Sequence, residues 1–98
     1  MTVLISARAR ADLFEIEAYI SRENPDRARS FVDELIGQIA IIGDRPRGFP
    51  NWTDRLPDLH VAHYRRYRIL FRVTSDAVWI ERVIHGARDI EALLDEME

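Results

Sequence analysis

Apolar positions along this chain keep two different periods. A short strand is predicted at Thr2 to Ile5, TVLI, before the period changes at Ala7. Ala9, Leu13, Ile16 and Ile20 then recur at intervals that place them on one helical face. Phe14 and Tyr19 flank that stripe, so one of them is expected to stay partly exposed. Asn24-Pro25-Asp26 marks the next boundary. Asn24 can accept from orphan amides, Pro25 suits the first helical position, and Asp26 suits the positive end of the helix dipole. A second helix follows, with Ala28, Phe31, Val32, Leu35, Ile39 and Ile42 at near-heptad spacing. Gly43 is expected to supply a left-handed C-terminal turn. Gly37 is expected to mark a close helix contact. The short link makes the two helices an antiparallel hairpin.

Residues 44–58 hold Pro46, Pro50, Pro57 and Gly48 and predict a loop. Beyond it, LHVAH, RYRILFRV and AVWIERVIH predict three strands. In the middle one, Tyr67, Ile69, Phe71 and Val73 alternate with Arg66, Arg68, Leu70 and Arg72, giving a buried face and an arginine-rich outer face. With the turn at 74–77, Val73 faces Val78, Phe71 faces Ile80 and Tyr67 faces Ile84. Arg82 is then a misfit opposite Ile69. The outer face pairs Arg72 with Trp79, Leu70 with Glu81, Arg68 with Val83 and Arg66 with His85. Gly86 is expected to allow a special backbone turn. Asp89 can cap a last short helix carrying Ile90, Leu93 and Leu94.

Strands and helices are segregated in the order β-α-α-β-β-β, with a helix at the end. That order predicts an α+β fold. It has an N-terminal strand, an antiparallel helical hairpin packed on a twisted antiparallel sheet, and a short C-terminal helix. One domain is expected over residues 1–98.

Charge changes this picture more than composition does. All 14 basic residues are arginine, against 17 acids and a net charge of −3. Chemistry that needs a lysine ammonium is excluded, and the balance argues against a protein that works mainly by neutralising phosphates. There is no cysteine, which excludes disulfides, thiolate catalysis and cysteine zinc sites. The N-terminal apolar run is too short for a secretory core, and no run suits a membrane span. A cytoplasmic protein is expected.

Candidate chemistry is sparse. His60 and His63, three apart on a strand, point to opposite faces, so no metal or other cofactor is predicted. Arg65, Arg66, Arg68 and Arg72 can grip an anion through their forks, with Trp79 stacking on Arg72. A solvated face partly paired with Glu81 is the plainer alternative. His85 can serve as a general acid or base, or as a structural strand-end residue. Metal-free RNA cleavage needs an acceptor, a donor and cations. Glu81 and His85 lie about 13 Å apart along one strand, too far to share a bond. Arg88 can pair with a C-terminal carboxylate.

The segments RARADLFEIEAYI, NPDRARSFVDEL, YRRYRILFRV and VWIERVIHGARDI, in this order, resemble the ParE family of the ParE/RelE toxin superfamily. The resemblance runs from about Ser6 to Leu94. It implies the same helical hairpin on a sheet. It also implies the toxin of a bacterial type II toxin–antitoxin pair that inhibits DNA gyrase by binding, without enzymatic activity. The implied partner is a ParD-like antitoxin, with a ribbon-helix-helix DNA-binding domain and a flexible segment that wraps the toxin. DNA is then touched only through the antitoxin complex. The superfamily also holds RelE-like ribosome-dependent mRNA endonucleases, which are typically strongly basic. His85 is the one residue here that invites that comparison. A non-toxic interaction domain is the third reading. The candidate target-binding surface is Arg65, Arg66, Arg68, Arg72, Trp79, His85 and Arg88. Candidate antitoxin contacts are Phe14, Tyr19, Arg22 and Arg29.

Overall fold

The computed structural model describes residues 1–97. Strand β1 (Thr2–Ile5) leads into α1 (Ala7–Ser21) and α2 (Pro25–Asp44). A 3-10 turn (Pro46–Gly48) precedes β2 (Asn51–Thr53), β3 (Leu56–Tyr64), β4 (Tyr67–Val73) and β5 (Ala77–His85), and α3 (Ile90–Met97) follows. The sheet order is β1-β5-β4-β3-β2.

Local chemistry explains the element boundaries. Ser6 caps α1 by accepting from the Ala9 amide at 3.0 Å, and its hydroxyl donates to the Glu81 carbonyl at 2.9 Å. The same side chain therefore starts the helix and ties it to β5. Asn24 caps α2 by accepting from the Arg27 amide at 3.0 Å, with Pro25 in the first turn. Asp89 accepts from the Ala92 amide at 3.3 Å at the start of α3.

The α1–α2 hairpin covers one face of the sheet. Ile16, Phe31, Leu35, Ile39 and Ile42 meet Ile69, Phe71, Val78, Ile80 and Val83 there. Each such large side chain contributes about 1.5–3 kcal/mol before entropy costs. The other face is not simply solvated. Helix α3 sets Leu93 and Leu94 on Leu56, Leu59, Val61, Leu70 and Ile84. Leu70, expected on an open arginine face, is fully buried.

The sheet also departs from the antiparallel expectation at one edge. β1 runs parallel to β5, with Thr2 opposite Ala77 and Ile5 opposite Ile80. The chain reaches β5 from β1 only through the α1–α2 hairpin and the β2–β4 meander, a connection long enough for parallel pairing. The expected loop at 44–58 contains the 3-10 turn and β2, whose Asn51 side chain donates to the carbonyls of Leu56, Pro57 and Leu59.

The β4–β5 register follows the expectation from Val73–Val78 through Phe71–Ile80, then slips at a bulge. Beyond it, Leu70 opposes Arg82, Ile69 opposes Val83, Arg68 opposes Ile84, and Tyr67, not Arg66, opposes His85. The extra residue hands the core seat beside Ile69 to Val83 and frees Arg82 from it. Bulges of this kind re-aim side chains.

The glycines play other parts than expected. Helix α2 runs through Gly43 to Asp44, and no described glycine has a positive φ. A Cβ at Gly43 would stand 2.4 Å from Val3 Cγ2, so glycine there lets β1 pass close to the helix. Gly37 meets nothing within 4 Å, so it marks no helix contact. Gly86 matters for proximity, since a Cβ there would stand 3.3 Å from the Arg66 carbonyl oxygen to which its amide donates at 2.7 Å.

Candidate functional site

A cleft of about 900 Å³ opens where α1, the start of α2, the β3–β4 turn and the end of β5 meet. Ile16, Ile20, Phe31, Val83 and Ile84 supply its apolar lining. Tyr19, Tyr67, His85 and the guanidinium-bearing Arg27, Arg65, Arg66 and Arg88 supply its polar chemistry, with Asp12 and Glu15 as the acids.

Backbone geometry sets the rim. Arg65 adopts φ 53°, the sole described non-glycine residue with a positive value. Such a conformation is uncommon for an arginine. The Gly86–Arg66 hydrogen bond closes the end of β5 onto this turn. Arg27 extends from the first turn of α2, with its guanidinium 5.1 Å from the Phe31 ring centroid. Behind the wall, Glu34 accepts from Arg27 and from the Tyr64 hydroxyl, and its Oε1 lies 3.8 Å from Arg65 Nε. The Arg27 hydrogen bond, followed by that of Tyr64, holds the Glu34 carboxyl below its ordinary value.

Tyr67 packs edge-on against His85 at 5.2 Å and at a tilt against Phe31 at 5.4 Å. Burial, then the neighbouring Tyr19, pushes its phenol above the ordinary value, so the phenol stays protonated. His85 Nδ1 accepts from the Ala87 amide at 3.0 Å. In the neutral ring that leaves the proton on Nε2, so the second nitrogen donates. Among the described residues, no hydrogen bond joins His85 to a carboxylate. Arginine stays protonated throughout. The assembled chemistry is therefore suited to holding anions and planar groups.

Beside the cleft lies a feature that the sequence pattern left unread. Arg82 donates from Nε to Asp12 Oδ2 at 2.8 Å and from Nη2 to Oδ1 at 3.0 Å. The same Oδ2 accepts the Val83 amide at 2.9 Å. β1 ends opposite Ile80, so Asp12 serves the β5 backbone where that neighbouring strand has run out.

A family model described as the ParE toxin of type II toxin–antitoxin system, parDE, matches residues 3–90. The chain belongs to the ParE toxin family. No curated protein matches it in sequence. Among solved structures it is similar to the chromosomal ParDE TA system from P. aeruginosa. The TM-score is 0.78 at 18% identity, over 87% of this chain and 95% of that one. It is also similar to the toxin–antitoxin complex RelBE2 from Mycobacterium tuberculosis. There the TM-score is 0.59 at 24% identity, over 86% of this chain and 95% of that one. These likenesses establish a shared α+β fold. No described helix is long and apolar enough to cross a membrane.

In this ParE-family chain the expected target-binding residues divide between two faces. Arg65, Arg66, His85 and Arg88 line the cleft. Arg72 and Trp79 oppose each other on the far face, where Leu4 is the other neighbour of Trp79. Arg72 Nε lies 3.6 Å from Glu81 instead of stacking on Trp79. Half-buried Arg68 also belongs to that face, in register with Ile84 and His63. Glu81 lines a separate small pocket with Arg72, Arg82 and Glu96, away from His85. Arg88 is not paired with Glu91, Asp95 or Glu96, which go to Arg55, Arg8 and Arg82.

The expected antitoxin contacts divide too. Phe14 and Tyr19 are 70% and 67% exposed. Phe14 sits over a shallow depression with Ile5, Ala7 and Arg10, whereas Tyr19 stands on the cleft. Arg22 is exposed at the end of α1, and exposed Arg29 reaches Asp26 at 3.2 Å. The roles of Arg27 and Tyr67 in the cleft, and of Glu34 behind it, have no counterpart among the sequence-predicted site residues. Their meeting depends on α2 crossing the β3–β4 turn, which no local pattern encodes.

Proposed function

We propose that this chain is the toxin of a type II toxin–antitoxin pair. In this reading it arrests growth by binding DNA gyrase, and a ParD-like antitoxin neutralises it. The observation that carries the non-enzymatic reading is the state of His85. Its Nδ1 is taken by a backbone amide and, among the described residues, no carboxylate is hydrogen-bonded to it. Acid–base cleavage needs a matched acceptor and donor at one bond, whereas protein recognition needs only the rigid cationic and aromatic rim. Membership of the ParE family over residues 3–90 supports the toxin assignment.

The antitoxin would be a wrapping partner. Phe14 and Tyr19 lie five positions apart on α1, about 140° around the axis. One segment touching both must pass around the helix. The working test is a gyrase supercoiling assay with purified toxin. Inhibition or a stabilised cleavage complex is expected, and normal supercoiling at saturating toxin sinks the gyrase target.

A second reading, ribosome-dependent mRNA cleavage, is favoured by the gathering of His85 with Arg65, Arg66 and Arg88 in one cleft. It requires toxin-dependent message cuts in an in vitro translation reaction that disappear in His85→Ala. Unaltered bacterial growth on expression without an antitoxin would instead favour an interaction domain lacking toxicity.

A further inference from the structure

The arginines of the cleft are not equivalent. Arg66 and Arg88 line it without an ion pair among the described residues. Arg27 and Arg65 line it too, but both are engaged by Glu34, which accepts from Arg27 Nη1 and lies 3.8 Å from Arg65 Nε. The Tyr64 hydroxyl donates to the same carboxylate. Glu34 itself does not line the cleft. A carboxylate of the chain therefore already occupies the point where these donors converge.

We propose that the cleft takes an acidic, partly apolar peptide, and that Glu34 is a resident carboxylate competing with it for Arg27 and Arg65. The open arginines, Arg66 and Arg88, receive the first ligand carboxylates through their forks. Apolar ligand side chains settle on Ile16, Ile20 and Phe31. Further carboxylates gain Arg27 and Arg65 only by displacing Glu34, so the resident acid holds the affinity down. A peptide fits better than a nucleic acid for two reasons. The chain is acidic overall, at −3, and Glu15 stands in the cleft, so no broad positive field draws in a polyphosphate. The lining between the arginines is apolar, which suits side chains and not a phosphate backbone. This inference rests on reading the cleft as a protein-binding surface.

The test uses the full chain and a fluorescent peptide of alternating glutamate and leucine, with a single-stranded DNA of equal charge alongside. Glu34→Gln is expected to bind the peptide about fivefold tighter, the scale of an exposed ion pair. Arg27→Gln alone is expected to change little, because Arg27 is already engaged. In the Glu34→Gln background, Arg27→Gln is expected to remove the gain, and that non-additivity is what a merely structural role would not produce. Arg66→Ala with Arg88→Ala is expected to lose binding in either background. If Glu34→Gln fails to fold, Glu34→Asp, which draws the carboxylate back, carries the same prediction with a smaller gain.

Unchanged peptide affinity in a Glu34 variant that is folded by circular dichroism at the assay temperature overturns the proposal, as does tighter binding of the DNA. Supercoiling assays on the same variants separate the two ideas. Peptide binding without gyrase inhibition retires gyrase as the target and leaves this site standing. Gyrase inhibition without peptide binding removes this site alone.

Discussion

Arg82 on β5 and Asp12 on α1 form a two-point ion pair in which each residue is only 5% exposed. Asp12 also accepts the Val83 amide at 2.9 Å, and Glu96 of α3 accepts from Arg82 Nη1 at 3.3 Å. One arginine thus joins the hairpin, the sheet edge and the C-terminal helix. The Asp12 hydrogen bond, foremost among several causes, raises the Arg82 pKa above its ordinary value, so the guanidinium remains charged.

Breaking this pair on one side strands a buried charge. Asp12→Ala or Arg82→Ala is expected to cost about 3–5 kcal/mol in urea unfolding. Asp12→Leu with Arg82→Met removes both charges and is expected to recover much of that loss, although the Val83 amide stays unmatched. Glu96→Ala touches a 45% exposed carboxylate and is expected to cost under about 1 kcal/mol. Equal losses for Glu96→Ala and Asp12→Ala would contradict this assignment.

The glycines of α2 offer a paired measurement. Gly43→Ala drives a Cβ to 2.4 Å from Val3 Cγ2, and the resulting shift of β1 is expected to cost about 1–3 kcal/mol. Gly37 sits in the same helix facing open space. Gly37→Ala is therefore expected to stabilise the protein by up to about 1 kcal/mol through helix propensity. Thermal unfolding of the two variants should move in opposite directions.

The contrast between those glycines shows where sequence reading reaches and where it stops. Periodicity placed the hairpin and the three long strands because each buries a stripe of apolar side chains. Asn24 and Asp89 were legible as caps because capping is local. The role of Gly43 is not local, because its reason is Val3, forty positions away. Arg82 looked like a misfit because a perfect ladder was assumed, and the bulge removes that assumption. A signal did exist. Asp12 falls between Ala9 and Ile16 on the buried stripe of α1, and a lone acid there answers a lone arginine on a core strand. The cleft was half legible: Arg65, Arg66, His85 and Arg88 follow from strand order. Arg27 and Tyr19 in the cleft, and Glu34 behind it, require the packing angle of the hairpin.

The Glu34 network predicts a pH dependence with a definite sign. Its folded pKa lies below the ordinary 4.5 because Arg27 and Tyr64 bond the ionised form. The stabilisation is therefore complete above pH 4.5 and is lost as pH falls through the folded value. Glu34 and Arg27 are 32% and 39% exposed, so the effect is modest and shrinks with salt. Urea midpoints of wild type and Glu34→Gln should converge in acid and separate above pH 4.5. Parallel curves across that range would contradict the assignment.

The division of arginines between two faces gives a functional prediction. Arg66 and Arg88 line the cleft, whereas Arg72 and Trp79 sit together on the far side of the sheet. If toxicity works through the cleft, Arg66→Ala with Arg88→Ala should relieve growth arrest far more than Arg72→Ala with Trp79→Ala. Both pairs remove exposed or half-exposed side chains, so stability should change little in either. Matched expression and Tm would confirm that comparison is fair. Charge reversal sharpens it, because Arg66→Glu places a carboxylate beside the closing Gly86–Arg66 contact and repels any acidic ligand segment. Greater relief from the Arg72 and Trp79 pair would move the target-binding surface to the open face beside β1.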